Sequence, residues 1–300
     1  MSGFRIALGM FGVQDVFGGD PQSLLMIARE ADRIGIDQIV FTDHVIMSTR
    51  TDRYPFGDFP VPPEYPWYEP MTLMAAVAGC TGRIRLATGV LIAPLRPAAL
   101  LAKMAATLDV LSNGRLDLGV GVGWQREEYE AQGQDFESRW AALDDQLRIM
   151  KALWSDAPAT VHTKTADIEG LYSLPLPRQA GGVPLWFGVA PTARQARRVA
   201  EFGHGWIPIR TNPPFIREGV QLFREAFEAV GRDPDSVQVR AHAQIDYQAD
   251  GKAELAKTLD SVAAIVEAGA TVIEIESQPF LRKPDELMPF LETLMKLKPV

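Results

Sequence analysis

The chain has 300 residues, 47% hydrophobic content and a formal net charge of -8, enough to bury one large core or two smaller ones. The acidic balance, with no basic stripe, argues against a nucleic-acid partner, and no run reaches the roughly 18 apolar residues of a membrane span. One cysteine, Cys80, excludes an internal disulfide, and the opening MSGFRIALGMFG lacks the features of a signal peptide, so a cytoplasmic, enzyme-sized protein is expected.

In chain order, Phe4 to Met10 reads as a short buried strand. Asp20-Pro21 then opens a helix with Leu24, Leu25, Ala28, Ala31 and Ile34 on one face and Gly35 closing it. Gln38 to Phe41 is the second strand, ending in Thr42-Asp43-His44. From Val45 to Pro70 periodicity disappears, and six prolines interleave with Tyr54, Phe56, Phe59, Tyr65, Trp67 and Tyr68. A loop this long inside a domain is usually functional, and its prolines stiffen it. Met71 to Cys80 is the second helix. Ile84 to Trp124 forms a βαβ unit: a buried strand from Ile84 to Ile92, a helix entered at Pro97 and stopped by Ser112-Asn113-Gly114, and a strand returning at Leu116.

A polar segment follows, then a helix from Trp140 to Trp154. Pro158 to Gly182 is irregular or hairpin-like, with Thr160 to His162 as a short strand. Pro184 to Val189 is the fifth core strand, and a helix from Thr192 to Phe202 follows it directly. Gly205 to Ile209, Val237 to Ile245 and Thr271 to Ile275 are strands; Phe215 to Val230, Leu255 to Ala268 and Glu286 to Leu297 are helices. Eight strands, each followed by a helix and with no composition break, predict an α/β fold. The expected form is a single TIM (β/α)8 barrel spanning 1–300, with insertions at about 45–70 and 155–182 after strands two and four. A doubly wound sheet shares the local pattern. In a barrel the ligand site lies at the C-terminal strand ends, which gathers Asp43-His44, Gly89-Val90, Gly121 to Trp124, Gly188 to Thr192, Arg210, Asp246 and Glu276.

His44 is the candidate catalytic residue, because an imidazole at a strand end exchanges protons near neutral pH while Asp43 beside it holds a cofactor or the tautomer. The plainer alternative is a histidine capping a loop. His162, His204 and His242 show no ligand spacing, so no metal is expected. Gly119, Gly121 and Gly123 alternate with valines in a spacing that does not fit the dinucleotide fingerprint. Close backbone approach to a planar ring, with Trp124 at the rim, or a tight barrel corner both account for them. Gly188-Val189-Ala190-Pro191-Thr192 runs from a strand into a helix whose first turn offers free N–H groups to a phosphate; an ordinary cap would read the same. No lysine falls within the eight predicted strands, which argues against Schiff-base chemistry. Glu274 and Glu276 share a strand face, but a glycosidase pair lacks its partner acid.

Four segments together resemble the bacterial luciferase-like flavin and deazaflavin oxidoreductases, and most closely the actinobacterial subgroup associated with coenzyme F420. They are FTDHV, the loop from RYPF to PEYPWYEP, the run RIRLATGVLIAPLRPAALLAKMAATLDVLSNGRLDLGVGVGWQREEYEAQG, and PLWFGVAPTARQARRVAEFGHGWIP. The resemblance implies a barrel with a tricyclic cofactor lying across the strand ends. It implies a non-prolyl cis peptide at Gly89-Val90 supporting the ring, His44 beside the reactive ring carbon and Asp43 near the ring's polar edge. Cofactor contacts would come from Thr88, Gly89, Val90, Gly121, Gly123 and Trp124, with phosphate at Gly188, Val189, Ala190 and Thr192. A homodimer is also implied. Sugar-phosphate dehydrogenases of this superfamily carry a glutamate acid where this chain has Trp124, and many members have paired glycines where it has Gly188-Val189.

The activity implied is hydride transfer between C5 of F420 and a small organic substrate. The alternatives are an FMN-dependent monooxygenase, in which reduced flavin forms a peroxide and inserts oxygen, and a flavin-binding protein without turnover.

Overall fold

Short runs of buried aliphatic residues build a parallel sheet that curls until its ends meet. The computed structural model describes residues 3–298. Its elements are β1 (Arg5–Gly9), α1 (Gln22–Ile34), β2 (Gln38–Phe41), α2 (Pro70–Cys80), β3 (Arg85–Thr88), β4 (Leu91–Ile92), α3 (Ala98–Leu111), β5 (Leu116–Gly121), α4 (Arg126–Ala131), α5 (Arg139–Ser155), β6 (Ala159–His162), β7 (Asp167–Leu171), β8 (Leu185–Val189), α6 (Ala193–Phe202), β9 (Gly205–Pro208), α7 (Pro213–Ala229), β10 (Gln238–His242), α8 (Leu255–Asp260), α9 (Val262–Glu267), β11 (Val272–Glu276) and α10 (Leu287–Met295). Neighbours in the sheet run β3-β2-β1-β11-β10-β9-β8-β5-β4, and β3 also pairs with β5, which closes the ring. Since β3 and β4 are two halves of one strand, the result is the eight-stranded TIM barrel that the strand count predicts.

Several local expectations need correction. The strand expected to run unbroken from Ile84 to Ile92 is interrupted at Gly89–Val90, where the peptide is cis. The strand expected to reach Ile245 ends at His242; beyond it the Asp246 amide bonds the Thr258 hydroxyl at 3.0 Å, and the chain leaves the ladder. The helix expected over Leu255 to Ala268 is two helices, because the Ser261 hydroxyl turns back onto the Thr258 carbonyl at 2.7 Å. The polar segment after Trp124 contains α4, whereas the excursion between α5 and β8 takes the hairpin form expected of it, the antiparallel pair β6–β7.

Two kinds of interior result. Between barrel and helices lies a continuous apolar layer that includes Leu8, Ile39, Leu101, Leu118, Phe187 and Phe223. Inside the barrel Ala7, Val40, Ala87, Trp186, Ile207 and Val272 form a smaller cluster, and a polar network crosses it. Arg240, fully buried, donates to Gln38 Oε1 at 3.1 Å and to the Thr88 carbonyl at 2.7 Å. Gln38 donates to Asp117 at 2.7 Å, and Arg85 closes on the same carboxylate at 2.6 Å. Buried charges persist when paired and hydrogen-bonded, and this network holds the strand just below its break.

On the outside, Gly79 is an exposed helical glycine of α2 with nothing within 4 Å of where a Cβ would stand. Gly79→Ala is expected to stabilise the fold by about 0.5–1 kcal/mol through helix propensity alone. The check is a shift of the urea midpoint with an unchanged slope.

Candidate active site

The broken strand forms the floor of a cavity at the C-terminal ends of the barrel strands. At its base the Thr88 hydroxyl donates to the Gly119 carbonyl at 2.7 Å, and the Gly89 amide donates to the Phe41 carbonyl at 2.8 Å. Gly119 is glycine for a local reason: a Cβ there would lie 2.0 Å from the Thr88 carbonyl oxygen. Further up, a Cβ on Gly121 or Gly188 would meet the Val90 side chain at 2.7 and 2.8 Å. The glycine-rich strand ends therefore make room for Val90, which sits between them, and Val90 in turn faces the cavity.

That cavity measures about 820 Å³, inside the roughly 300–1,000 Å³ of ligand pockets. Of the residues singled out from sequence, Asp43, His44, Gly89, Val90, Gly121, Gly123, Trp124, Gly188, Val189, Ala190 and Thr192 line it. Thr88 does not; it is fully buried beneath the floor and acts as a support. Arg210, Asp246 and Glu276 are likewise absent from the lining.

His44 is fixed by a carboxylate that the sequence does not point to. Its Nδ1 lies 3.1 Å from Oε2 of Glu128, a fully buried residue of α4. Glu128 Oε1 accepts from the Val45 amide at 2.7 Å and, at 3.4 Å, from Ile46. With Nδ1 engaged, Nε2 is the imidazole nitrogen left for a ligand. Asp43, expected to hold a cofactor or the tautomer, does not orient the imidazole: it lines the cavity with both oxygens on Arg96, at 2.8 and 3.0 Å, and accepts from the Ile92 amide at 2.8 Å. Arg96 also binds Glu69 at 2.8 Å, tying the far end of the proline-aromatic loop to the strand break.

The same loop covers His44 with rings. Trp67, Phe59 and Trp124 stand with centroids 4.7, 6.1 and 6.1 Å from the imidazole, and Tyr54 packs on both Phe59 and Trp124 at 5.2 and 5.3 Å. Helix α4 and the residue before it hold the loop in place. Gln125 accepts from the Ser48 amide at 2.6 Å and donates to the Ile46 carbonyl at 3.1 Å, while Glu127 pairs with Arg53 at 2.7 Å. Sequence reading passes over Gln125 to Glu128 because four consecutive polar residues look like a solvated turn; only the path of the chain after Gly123 turns two of them, Gln125 and Glu128, inward.

At the other end of the cavity, Thr192 caps α6, its hydroxyl accepting from the Gln195 amide at 3.3 Å. The first amides of a helix have no intrahelical partner, so this end is suited to an anion. Thr192 and Gln195 line the cavity there, joined by Phe136 from the segment leading into α5 and by Arg139 and Trp140 of its first turn.

Comparison with known proteins agrees with this geometry. The sequence profile described as luciferase-like monooxygenase matches residues 6–288. An uncharacterized Mycobacterium tuberculosis protein is 33% identical over 165 residues, 55% of this chain, and the match spans only 58% of that relative's length. An F420-dependent glucose-6-phosphate dehydrogenase of Mycolicibacterium gilvum is 27% identical over 247 residues, covering 79% of this chain and 68% of that protein. Among solved structures, the monooxygenase RslO1 of Streptomyces bottropensis superposes with TM-score 0.78 at 19% identity over 97% of this chain and 99% of its own. An F420-dependent secondary alcohol dehydrogenase carrying an F420-acetone adduct gives 0.77 at 16% identity over 98% of each chain. At those identities the structural likeness shows the fold alone. The profile match covers nearly the whole chain, and the chain belongs to the luciferase-like monooxygenase family of oxidoreductases.

Proposed function

We propose that this protein is an F420-dependent oxidoreductase that transfers a hydride between deazaflavin C5 and a small organic substrate. The observation that carries the reading is the His44–Glu128 pair: a buried carboxylate on Nδ1 leaves Nε2, at the cavity wall, to accept or return a hydroxyl proton. The F420-dependent relatives support the choice of cofactor. The residues present fit such a group, because the glycines at 121 and 188 leave Val90 as a smooth apolar floor, and the Thr192 helix start suits a phosphate. In this reading Val90, Gly89 and Trp124 would contact the ring and Gly188 to Thr192 would take the phosphate, while Asp43 fixes Arg96 at the cavity wall and Thr88 fixes the floor from beneath. The deazaflavin supplies a two-electron acceptor carbon; the chain supplies orientation, exclusion of water by the aromatic loop and the proton acceptor. Cytoplasmic residence and homodimerisation belong to the same proposal, the latter supported by Leu100, Val110 and Leu111 standing exposed on α3.

The test is a parallel fluorescence titration of the apo-protein with F420 and FMN, followed by oxygen-electrode measurements. Tight binding of F420 with no oxygen consumption is expected. Selective FMN binding with substrate-dependent oxygen uptake establishes the monooxygenase instead, and cofactor retention without reoxidation by any substrate indicates a binding protein.

Glu128→Gln tests the pair directly. A hydrogen bond to a charged group is worth about 1.5–3 kcal/mol, so kcat is expected to fall roughly 10- to 100-fold. Cofactor Kd should hold, since the amide oxygen can still accept from Val45. An unchanged kcat would remove Glu128 from the chemistry.

A further inference from the structure

Three strands round the barrel from His44, a second imidazole lines the same cavity. His242, at the end of β10, shows Nε2 to Glu274 Oε2 at 3.9 Å and Nδ1 to Glu276 Oε1 at 3.8 Å. Both acids belong to β11, where they face the same way. Glu274 is only 2% exposed, and its Oε2 has no hydrogen-bond partner although it points at both His242 and the Arg240 guanidinium. One oxygen of Glu276 is also buried and unpartnered. Two adjacent carboxylates short of donors are a place where a proton is held.

We propose that His242 and Glu276, backed by Glu274, form a second proton-exchange site of the cavity, distinct from the His44–Glu128 pair. The imidazole presents a different nitrogen to each carboxylate, the arrangement of a relay: a proton taken by one nitrogen can be released from the other. A metal ion would use one nitrogen only, and the Arg240 Nε, 3.0 Å from Glu274 Oε2, already supplies the positive charge on the buried side. On the β1 side Arg5 is a further charged neighbour, and it bears on Arg240. On β1 the residue against Glu276 is Gly9, where a Cβ would stand 2.4 Å from the Glu276 Oε2; Asp117 acts on the group only through Arg240. Burial, and then the adjacent Glu274, push the Glu276 carboxyl up to about 7, while 26% side-chain exposure lets its proton exchange with solvent.

The role follows from proton balance and rests on the hydride-transfer reading. Oxidation of an alcohol breaks its C–H bond with the electron pair leaving as hydride, and breaks its O–H bond with the proton passing to His44. With F420 bound, its reduction would take up that hydride and one further proton, which the chain would have to supply. The His242–Glu276 pair gives up this proton and regains it from water, and His44 returns its own to water; in the reverse reaction each transfer runs backwards.

The experiment follows the carboxyl carbons of 13C-labelled glutamate by NMR in the apo-protein, assigned through Glu276→Gln. The Glu276 signal is expected to titrate near pH 7 and to move upward in His242→Gln, where the lowering influence of the imidazole is lost. In the F420-loaded enzyme Glu276→Gln is expected to abolish one limb of the kcat profile against pH while cofactor Kd stays within about twofold, and Glu276→Asp to restore that limb. Titration in the ordinary glutamate range, indifference to His242→Gln, an unaltered pH profile, or stoichiometric zinc retained after dialysis would each overturn the proposal. The NMR arm needs no cofactor, so its failure leaves the F420 reading standing, and failure of F420 to bind leaves the proton site standing.

Discussion

Replacing His44 by alanine is expected to reduce kcat by about 10²- to 10⁴-fold, the range that a positioned general acid or base contributes, while F420 affinity changes little. The reason is geometric. Nδ1 is committed to Glu128, so Nε2 is the titratable atom on this wall of the cavity, and the rings of Trp67, Phe59 and Trp124 around it offer no substitute proton acceptor. Steady-state turnover together with cofactor fluorescence separates the two effects. Full turnover with unchanged affinity would assign the proton step to another group, whereas a matching loss of cofactor binding would make His44 a binding residue.

Gly119→Ala is expected to cost about 3 kcal/mol, the upper part of the usual overpacking penalty, despite adding a single methyl group. The new Cβ would stand 2.0 Å from the Thr88 carbonyl oxygen and 3.2 Å from the Ile207 side chain. Neither flexible side chain nor solvent can absorb the first of these contacts, because the carbonyl also accepts the buried Arg240 guanidinium. Relief requires β3 and β5 to part at the level where the Thr88 hydroxyl ties them. Chemical denaturation gives the free energy, and F420 titration of the surviving fold should show weakened binding, since Gly89 and Val90 follow directly. A variant within about 0.5 kcal/mol of the parent would mean that the floor does not close in this way.

How much of this the sequence foretells depends on the range of the interaction. Strands covered on both faces must be apolar runs, so β2, β5 and β8 are visible as letters, and eight repeats of the pattern leave few architectures besides a barrel. The strand-end glycines are equally visible, but their reason is not: the run 119–123 invites a ring lying on bare backbone, and Gly121 turns out to accommodate Val90 from the neighbouring strand. Period-two alternation places Glu274 and Glu276 on one face, yet only the register of β10 against β11, which sets His242 opposite Glu274, brings the imidazole beside them. Asp43 and Glu128 show the limit most clearly. Adjacency in sequence favours the first as partner of His44, and the fold chooses the second, 84 residues away, because Arg96 has already taken the first.

One carboxylate, Glu128, grips the imidazole with one oxygen and the opening amides of the aromatic loop with the other. The hinge of the cover and the orientation of the base are thereby a single mechanical unit, while the tip from Tyr54 to Trp67 touches neither anchor of that unit by hydrogen bond. Swapping the tip for that of a relative, with Phe59 and Trp67 kept against the imidazole, should thus retune which molecules are admitted without detuning the proton transfer, making this segment the natural place to diversify the enzyme in the laboratory.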